Sequence, residues 1–185
     1  MIALIIAFRN FKDKEYLLPK KTLEEAGFRV VTASIREGQA EGSEGVKVDV
    51  DVTLESLKVE DYHGIFFIGG PGALADLDNQ VSYELLKKAV EAKKIVGSIC
   101  ISSVILAKAG ILKNKKATVF TSLSDKDGVE VLKKEGAEYI EEPVVEDDLL
   151  ITASGPQAAE AFGQKIVEKI HSLHKFTYIL DSLRV

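Results

Sequence analysis

Short apolar runs alternate with longer segments of helical periodicity along most of the chain. The runs have strand length and are rich in β-branched and aromatic residues, whereas the longer segments repeat apolar positions every three to four residues. This pattern predicts strands over residues 2–8, 28–34, 63–68, 95–100, 117–120 and 149–153, with shorter ones at 138–140 and 144–145. It predicts helices over residues 13–26, 81–92, 101–109, 125–134 and 155–173. Such alternation is typical of an α/β fold with a mostly parallel sheet and helices on both faces.

Residues 37–52 depart from this alternation. Val46, Val48, Val50 and Val52 are separated by polar residues, which is the period of a half-exposed strand or hairpin. We find no internal repeat and no low-complexity linker, so the sequence predicts one domain over residues 1–185. Its tail, residues 175–185, is apolar enough to pack either on its own domain or on a second subunit.

The amino-acid composition and net charge exclude several classes of protein. Hydrophobic residues make up 46% of the chain and charged residues 29%, which suffices for a full core. Twenty-four basic against 29 acidic residues give a net charge of −5, which argues against a nucleic-acid partner. The first apolar run lacks a basic leader and is far shorter than the roughly 20 residues of a membrane span. We therefore expect a cytoplasmic protein without a membrane segment, and the abundance of Lys and Glu resembles proteins of hot-growing organisms.

The single cysteine, Cys100, cannot form an internal disulfide or a cysteine-based zinc cluster. It lies where an apolar strand runs into a helix, a junction that can hold a nucleophile above the sheet in a strained backbone geometry. The N-terminus of the following helix would favour the thiolate. The alternative interpretation, a buried cysteine that packs as a small hydrophobe, is common and stays open on position alone.

The other candidate groups are weaker. The turn Gly69-Gly70-Pro71-Gly72 could present backbone N–H groups to an anion or a carbonyl oxygen, but it has neither the dinucleotide nor the P-loop spacing. Glu15 has the usual position of an acid in the first turn of a helix. His63 begins a predicted strand, at the sheet end opposite the candidate site, and His171 and His174 are three apart on the last helix. With no acidic or cysteine cluster near them, we expect no metal site.

Four motifs in this order resemble the ThiJ/PfpI family. They are Asp13-x-Glu15-Tyr16-Leu17-Leu18-Pro19, Ile68-Gly69-Gly70, Gly97-Ser98-Ile99-Cys100 and the stretch from Leu149 to Pro156 that contains Thr152-Ala153-Ser154-Gly155. The resemblance extends over about residues 2–170. It implies a flavodoxin-like three-layer sandwich, a nucleophile elbow and homo-oligomers, for which the tail and residues 37–52 are the suspected surfaces.

The resemblance also implies roles for four residues. Cys100 is then the nucleophile or redox thiol, and Glu15 is its protonated partner. Gly70 and Ile101 supply the backbone donors of an oxyanion hole. The family includes intracellular peptidases, glyoxalase-like and deglycase-like enzymes, and chaperones. None of these roles requires a cofactor, and the loop after the first strand lacks the Ser/Thr/Gly cluster of a flavin phosphate site.

Three departures from the family pattern bear on the reaction. Peptidases of this family have His directly after the cysteine, where this chain has Ile101, and other members have His where this chain has Phe120. Ser154 replaces the arginine of the family's last motif. Peptide hydrolysis needs a proton donor for the leaving amine, which disfavours a protease. Two hypotheses remain: a glyoxalase-like or hydrolase-like enzyme acting on small carbonyl compounds, and a non-enzymatic redox-sensing or chaperone-like stress protein in which Cys100 is oxidised.

Overall fold

A computed structural model describes residues 1–182 of the chain, with side chains up to residue 173. The strands are β1 (Ile2–Ile5), β2 (Arg9–Phe11), β3 (Val30–Ser34), β4 (Gly38–Gly42), β5 (Lys47–Val50), β6 (Val52–Thr53), β7 (Gly64–Phe67), β8 (Ile95–Ile99), β9 (Lys116–Ala117), β10 (Glu138–Tyr139), β11 (Val144–Asp147) and β12 (Leu150–Ala153). The α-helices are α1 (Asp13–Glu25), α2 (Ala73–Leu77), α3 (Gln80–Glu91), α4 (Ser103–Lys108), α5 (Asp127–Lys134) and α6 (Ala159–Ser182).

Seven of the strands form the central sheet, in the order β11-β12-β8-β7-β1-β3-β6. All neighbouring pairs are parallel except β11 and β12. The parallel pairs place the carboxyl ends of β1, β7, β8 and β12 at one edge, where open α/β sheets bind their ligands. The predicted mostly parallel α/β sandwich is confirmed.

Two hydrophobic cores lie on opposite faces of this sheet. Successive side chains of a strand point to opposite faces, so Ile2 and Leu4 of β1 enter one core while Ala3 and Ile5 enter the other. Helices α1 and α6 cover the first core, and α3, α4 and α5 contribute to the second. The central strands read as continuous apolar runs because both of their faces are buried.

Within residues 37–52, predicted as a half-exposed strand or hairpin, β4 and β5 pair antiparallel as a hairpin. Val52 lies outside this hairpin, because it belongs to β6, which pairs with β3 at the edge of the central sheet. The chain after β1 was expected to be a loop, but Arg9–Phe11 pairs with β4 and completes a separate three-stranded sheet. The polar residues Arg9 and Asn10 interrupt the apolar pattern, so the sequence does not predict this strand. It forms because its backbone pairs with a segment that is distant in the chain.

Other boundaries also differ from expectation. The helix after β8 begins with a 3-10 turn at Cys100–Ser102, and the α-helix starts only at Ser103. The strand expected at residues 117–120 is reduced to Lys116–Ala117, which pairs with β10 outside the central sheet. The last helix also starts with a 3-10 turn, Pro156–Ala158, and continues through Ser182.

The tail is described only in part. Residues 183–185 and the side chains from residue 174 onward lie outside the described residues, so the packing of residues 175–185 stays a prediction. Within the described part of the chain, no helix is both long enough and apolar enough to cross a bilayer.

Candidate active site

Cys100 lies at the carboxyl end of β8, in a backbone conformation that side chains rarely adopt. Its φ is 65°, in the left-handed region, where a non-glycine residue costs free energy that the surrounding structure must supply. Three buried serines hold this turn: Ser102 Oγ donates a hydrogen bond to the carbonyl of Ile68 (2.8 Å), and Ser98 Oγ and Ser103 Oγ share one (2.9 Å). The expected strand-to-helix elbow is therefore present at Cys100, whose side chain is only 9% exposed.

Glu15 reaches the same point from the first turn of α1. The backbone N–H of Lys12 donates to the carbonyl of Gly69 (2.9 Å), which ties the start of α1 to the end of β7. A Cβ atom on Gly69 would lie 2.5 Å from both Glu15 Oε2 and Cys100 Cβ. The carboxyl and the cysteine thus converge over Gly69, and only glycine leaves room for both.

The Glu15 carboxyl is completely buried, which is unusual for an acid in the first turn of a helix. Neither of its oxygens has a hydrogen-bond partner of standard geometry among the described residues, although the Cys100 thiol and the Gly69 N–H are close enough to stabilise its charge. Burial dominates, and it raises the pKa of Glu15 to about 7. Both protonation states of this acid are therefore populated near neutral pH.

Two backbone amides are directed at the sulfur. The N–H groups of Ile101 and Gly70 both stabilise the charged form of Cys100. Gly70 has a φ of 126°, and a Cβ atom there would lie 2.3 Å from the backbone nitrogen of Lys12. Only glycine can therefore place this amide where it lies. These are the two residues that the sequence motifs suggest as oxyanion donors.

The thiol does not have the lowered pKa that a helix N-terminus alone would give. Burial raises the pKa of Cys100, and a charge on Glu15 raises it further, while the Ile101 and Gly70 amides act in the opposite direction. A charge on one of the two groups therefore disfavours ionisation of the other, so the thiol and the acid titrate as a coupled pair.

The site opens into a cavity of about 440 Å³. Its floor is formed by Glu15, Cys100 and Gly70. Its walls are apolar and come from Pro71, Leu74, Ile101, Phe120 and Pro156. Two charged residues, Lys12 and Asp125, complete the lining.

The sequence did not single out Lys12, Leu74, Asp125 or Pro156 as lining residues. A lysine before a helix and a leucine on a short helix are ordinary surface features, and no spacing in the sequence links either of them to Cys100. Phe120 was singled out only as a replaced histidine, and its backbone N–H donates to the Cys100 carbonyl (3.4 Å).

Among the residues whose side chains the structure describes, no histidine lines this cavity. His63 borders a different cavity, beside Lys94 and Ile170, and His171 stacks on Phe28. Within the described part of the chain, no group of three or more His, Cys, Asp or Glu side chains is arranged to hold a metal ion.

Comparison with known proteins gives consistent matches over most of the chain. An uncharacterized protein of Methanocaldococcus jannaschii, MJ0967, is 37% identical over 170 residues, which is 91% of this chain and 82% of that protein. The deglycase TK1284 of Thermococcus kodakarensis is 29% identical and covers 91% of this chain and 98% of its own. The glutathione-independent glyoxalase DJR-1.2 of Caenorhabditis elegans is 28% identical, over 93% of this chain and 89% of its own.

Among solved structures, the ThiJ/PfpI domain protein from Brachyspira murdochii superimposes with a TM-score of 0.88 at 27% identity. The match covers 92% of this chain and 96% of that one. The model of the DJ-1/PfpI family matches residues 1–169. The resemblance drawn from the four sequence motifs is confirmed, and the chain belongs to the DJ-1/PfpI family.

Proposed function

We propose that this protein is a cysteine-dependent enzyme that converts small 2-oxoaldehydes into 2-hydroxy acids. The observation that carries the proposal is the convergence of the Cys100 thiol, the Glu15 carboxyl and two backbone amides on the floor of one cavity. Relatives named deglycase and glutathione-independent glyoxalase, at 29% and 28% identity, support chemistry of this kind.

The first step is the addition of sulfur to the aldehyde. Glu15 in its carboxylate form takes the thiol proton while the sulfur attacks the aldehyde carbon, and the C=O electron pair moves onto oxygen. The amides of Gly70 and Ile101 stabilise that oxyanion, as preorganised donors do in other acyl-transfer sites. Glu15 then returns the proton to the oxygen, which gives a neutral hemithioacetal.

The second step moves hydrogen from C1 to C2 of the substrate. Glu15 removes the proton on C1 to give an enediol, the hydroxyl proton on the C1 oxygen passes to the C2 oxygen, and Glu15 delivers its proton to C2. The hemithioacetal thus becomes a thioester of the 2-hydroxy acid. One water hydrolyses this thioester and restores the Cys100 thiol. The sum is R–CO–CHO plus water to R–CHOH–COOH, which needs no external oxidant or reductant. A pKa of about 7 suits Glu15 to taking up and releasing a proton in the same cycle.

Peptide hydrolysis is not part of this proposal. It needs an acid that protonates the leaving amine, a role that histidine has in other cysteine and serine proteases. Ile101 and Phe120 occupy the two positions where histidine was sought, and both present apolar side chains to the cavity.

The test is the formation of lactate from methylglyoxal by the purified protein. We expect measurable turnover, and we expect Cys100→Ala to lower kcat/KM by at least about 1,000-fold, since loss of a covalent nucleophile removes the whole pathway. Absence of lactate with the unmodified protein would refute the proposal.

Cys100→Ser is the matched control for this experiment. It keeps the size of the side chain and a nucleophilic oxygen but removes the readily ionised sulfur. We expect it to be nearly as inactive as Cys100→Ala, with an unchanged circular dichroism spectrum. Full activity in either variant would show that lactate forms without the thiol.

A second candidate function is redox sensing by Cys100. The observation in its favour is that Glu15 and the two amides could also hold a sulfinate, with Glu15 donating its proton to one oxygen and the amides contacting the other. Two equivalents of peroxide oxidise the thiol to sulfinic acid and are reduced to water.

Peptide-level mass spectrometry after mild peroxide treatment tests this candidate. We expect the peptide that contains Cys100 to gain two oxygens and to stop there, because the site stabilises the sulfinate. The N-terminal peptide serves as an internal control, since Met1 gains one oxygen on conversion to the sulfoxide. A Cys100 peptide that remains a thiol while Met1 is oxidised would contradict the redox function.

A further inference from the structure

The walls of the cavity are more apolar than a three-carbon aldehyde needs. Leu74, Ile101 and Phe120 face the space above Cys100, together with two prolines. Leu74 lies on the short helix α2 and is 37% exposed, although it is a large aliphatic side chain. Its exposed surface lies on the cavity, where an apolar group of a bound molecule would cover it.

The ring of Phe120 helps to close the far side. A Cβ atom on Gly155 would lie 3.3 Å from Phe120 Cδ2 and 4.0 Å from Glu15 Oε1. The Phe120 ring and the Glu15 carboxyl therefore both lie close to Gly155. A substrate whose aldehyde carbon contacts the sulfur would direct its other end toward these apolar side chains.

Lys12 and Asp125, the two charged residues at the rim of the lining, each have a polar partner within the protein. The ammonium of Lys12 forms an ion pair with Glu44. The Asp125 carboxylate accepts the backbone N–H of Asp127 (3.1 Å). The Lys12 charge is thus neutralised within the protein, and the exposed Asp125 carboxylate would repel an anionic ligand. The cavity therefore favours an uncharged molecule.

We propose that the preferred substrates are uncharged 2-oxoaldehydes with a branched or extended apolar side chain, and that Leu74, Ile101 and Phe120 bind that side chain. This assignment rests on the proposed function and names its substrate class. The reaction keeps the same balance of atoms: the apolar group R is carried unchanged from R–CO–CHO to R–CHOH–COOH. A cavity of about 440 Å³ is within the range of sites for ligands larger than methylglyoxal.

The experiment compares kcat/KM for three aldehydes with the same reacting group. They are 4-methyl-2-oxopentanal, which has an isobutyl side chain, methylglyoxal and the polar 3-hydroxy-2-oxopropanal. A single methylene in an apolar pocket changes discrimination by about 10- to 200-fold. We therefore expect the isobutyl compound to exceed methylglyoxal by at least about tenfold and the hydroxylated compound to be the poorest substrate. Equal values, or a preference for methylglyoxal, would overturn the assignment while leaving the proposed function intact.

Two leucine variants test whether the preference for the isobutyl compound over methylglyoxal arises in this cavity. Leu74→Ser should lower the ratio of the isobutyl compound to methylglyoxal by about tenfold, because it replaces an apolar wall with a hydroxyl. Leu17→Ser is the matched control, since Leu17 is 42% exposed on α1 and does not line the cavity. An unchanged ratio in Leu74→Ser would also overturn the assignment.

Failure of the proposed function has a different signature. If none of the three aldehydes is converted, the binding of 4-methyl-2-pentanone and of acetone, two ketones that keep the side chains but lack the aldehyde, is measured by NMR titration. Binding of the first ketone alone, weakened in Leu74→Ser, would show an apolar site without this chemistry. Equal binding of the two ketones, or none of either, would overturn the substrate class as well.

Discussion

At the scale of single residues, the acid is the unusual member of the site. Glu15 follows an ordinary helix-start pattern, yet its carboxyl is completely buried between the ends of β7, β8 and β12. Burial in a poorly solvated site disfavours the charged form, which explains why its pKa lies near neutrality. The group that would transfer protons in the proposed reaction therefore costs stability when it ionises.

This cost gives a pH-dependent prediction. The pKa of Glu15 is about 7 in the folded protein against 4.5 for the ordinary group. A raised pKa means that the folded state holds the proton more tightly, so the contribution to stability is complete below about pH 4.5 and is lost as the pH rises through about 7. At about 1.4 kcal/mol per pH unit, the loss amounts to about 3 kcal/mol.

Glu15→Gln removes this titration while keeping the size of the side chain. We expect the free energy of unfolding of the unmodified protein, relative to that of Glu15→Gln, to fall by about 3 kcal/mol between about pH 4 and about pH 8. Urea denaturation at a series of pH values measures it. A difference between the two proteins that does not change with pH would show that Glu15 titrates normally.

At the scale of elements, α1 and α6 pack closely enough to determine the sequence at their contact. Gly163 lies within α6, and a Cβ atom there would be 2.9 Å from Pro19 Cα and 3.0 Å from Thr22 Cβ, both on α1. Pro19 lies inside α1, where its ring removes one backbone donor. Because α1 carries Glu15, this contact also positions the acid.

The close approach reverses the usual effect of replacing glycine in a helix. Replacing glycine by alanine at an unconstrained helical position stabilises a protein by about 1 kcal/mol. We expect Gly163→Ala instead to lower the free energy of unfolding by about 1–3 kcal/mol. The nearest atom of α1 is a backbone atom, Pro19 Cα, which can move away only if the helix moves. Thermal or urea denaturation measures it.

Ala161→Gly is the control for this prediction, since Ala161 is an exposed residue of the same helix. We expect Ala161→Gly to lower the free energy of unfolding by about 1 kcal/mol, through helix propensity alone. A stabilised Gly163→Ala would mean that the two helices can separate without cost, which would contradict the packing described above.

The hairpin shows how an element outside the central sheet is held in place. Asp13, at the start of α1, is buried and accepts the backbone N–H groups of Glu44 and Val46, each at 2.9 Å. This carboxylate fixes the turn between β4 and β5, and with it the Glu44 side chain that pairs with Lys12. The acidic residue before Glu15 in the sequence thus has a structural role.

At the scale of the whole molecule, the seven-stranded central sheet has a hydrophobic core on each face. Phe66 of β7 is fully buried and packs edge-to-face on Phe162 of α6, with ring centroids 5.8 Å apart. Gly97 on the neighbouring strand leaves room for this ring, since a Cβ atom there would lie 2.9 Å from it. The strands that end at the candidate active site therefore run through a fully buried part of the core.

Assembly of the whole molecule is the least determined property. Homo-oligomerisation through residues 37–52 or through the tail stays a prediction of the sequence analysis.

The sequence by itself determined the order of the main elements and the position of the thiol. Continuous apolar runs such as that around Phe66 predict strands buried on both faces, and the strand-to-helix junction marks Cys100, because both signals come from neighbouring residues. The family motifs added Glu15, Gly70 and Ile101, and the structure brings all three to Cys100.

Only the tertiary structure decided the surroundings of that thiol. Arg9–Phe11 becomes a strand because β4 lies beside it, and Lys12 and Leu74 line the cavity because distant segments meet at one edge of the sheet. The raised pKa of Glu15 likewise comes from burial by strands that follow it in the chain. These properties depend on which groups are close in space and how much water reaches them, and no local pattern of residues records either quantity.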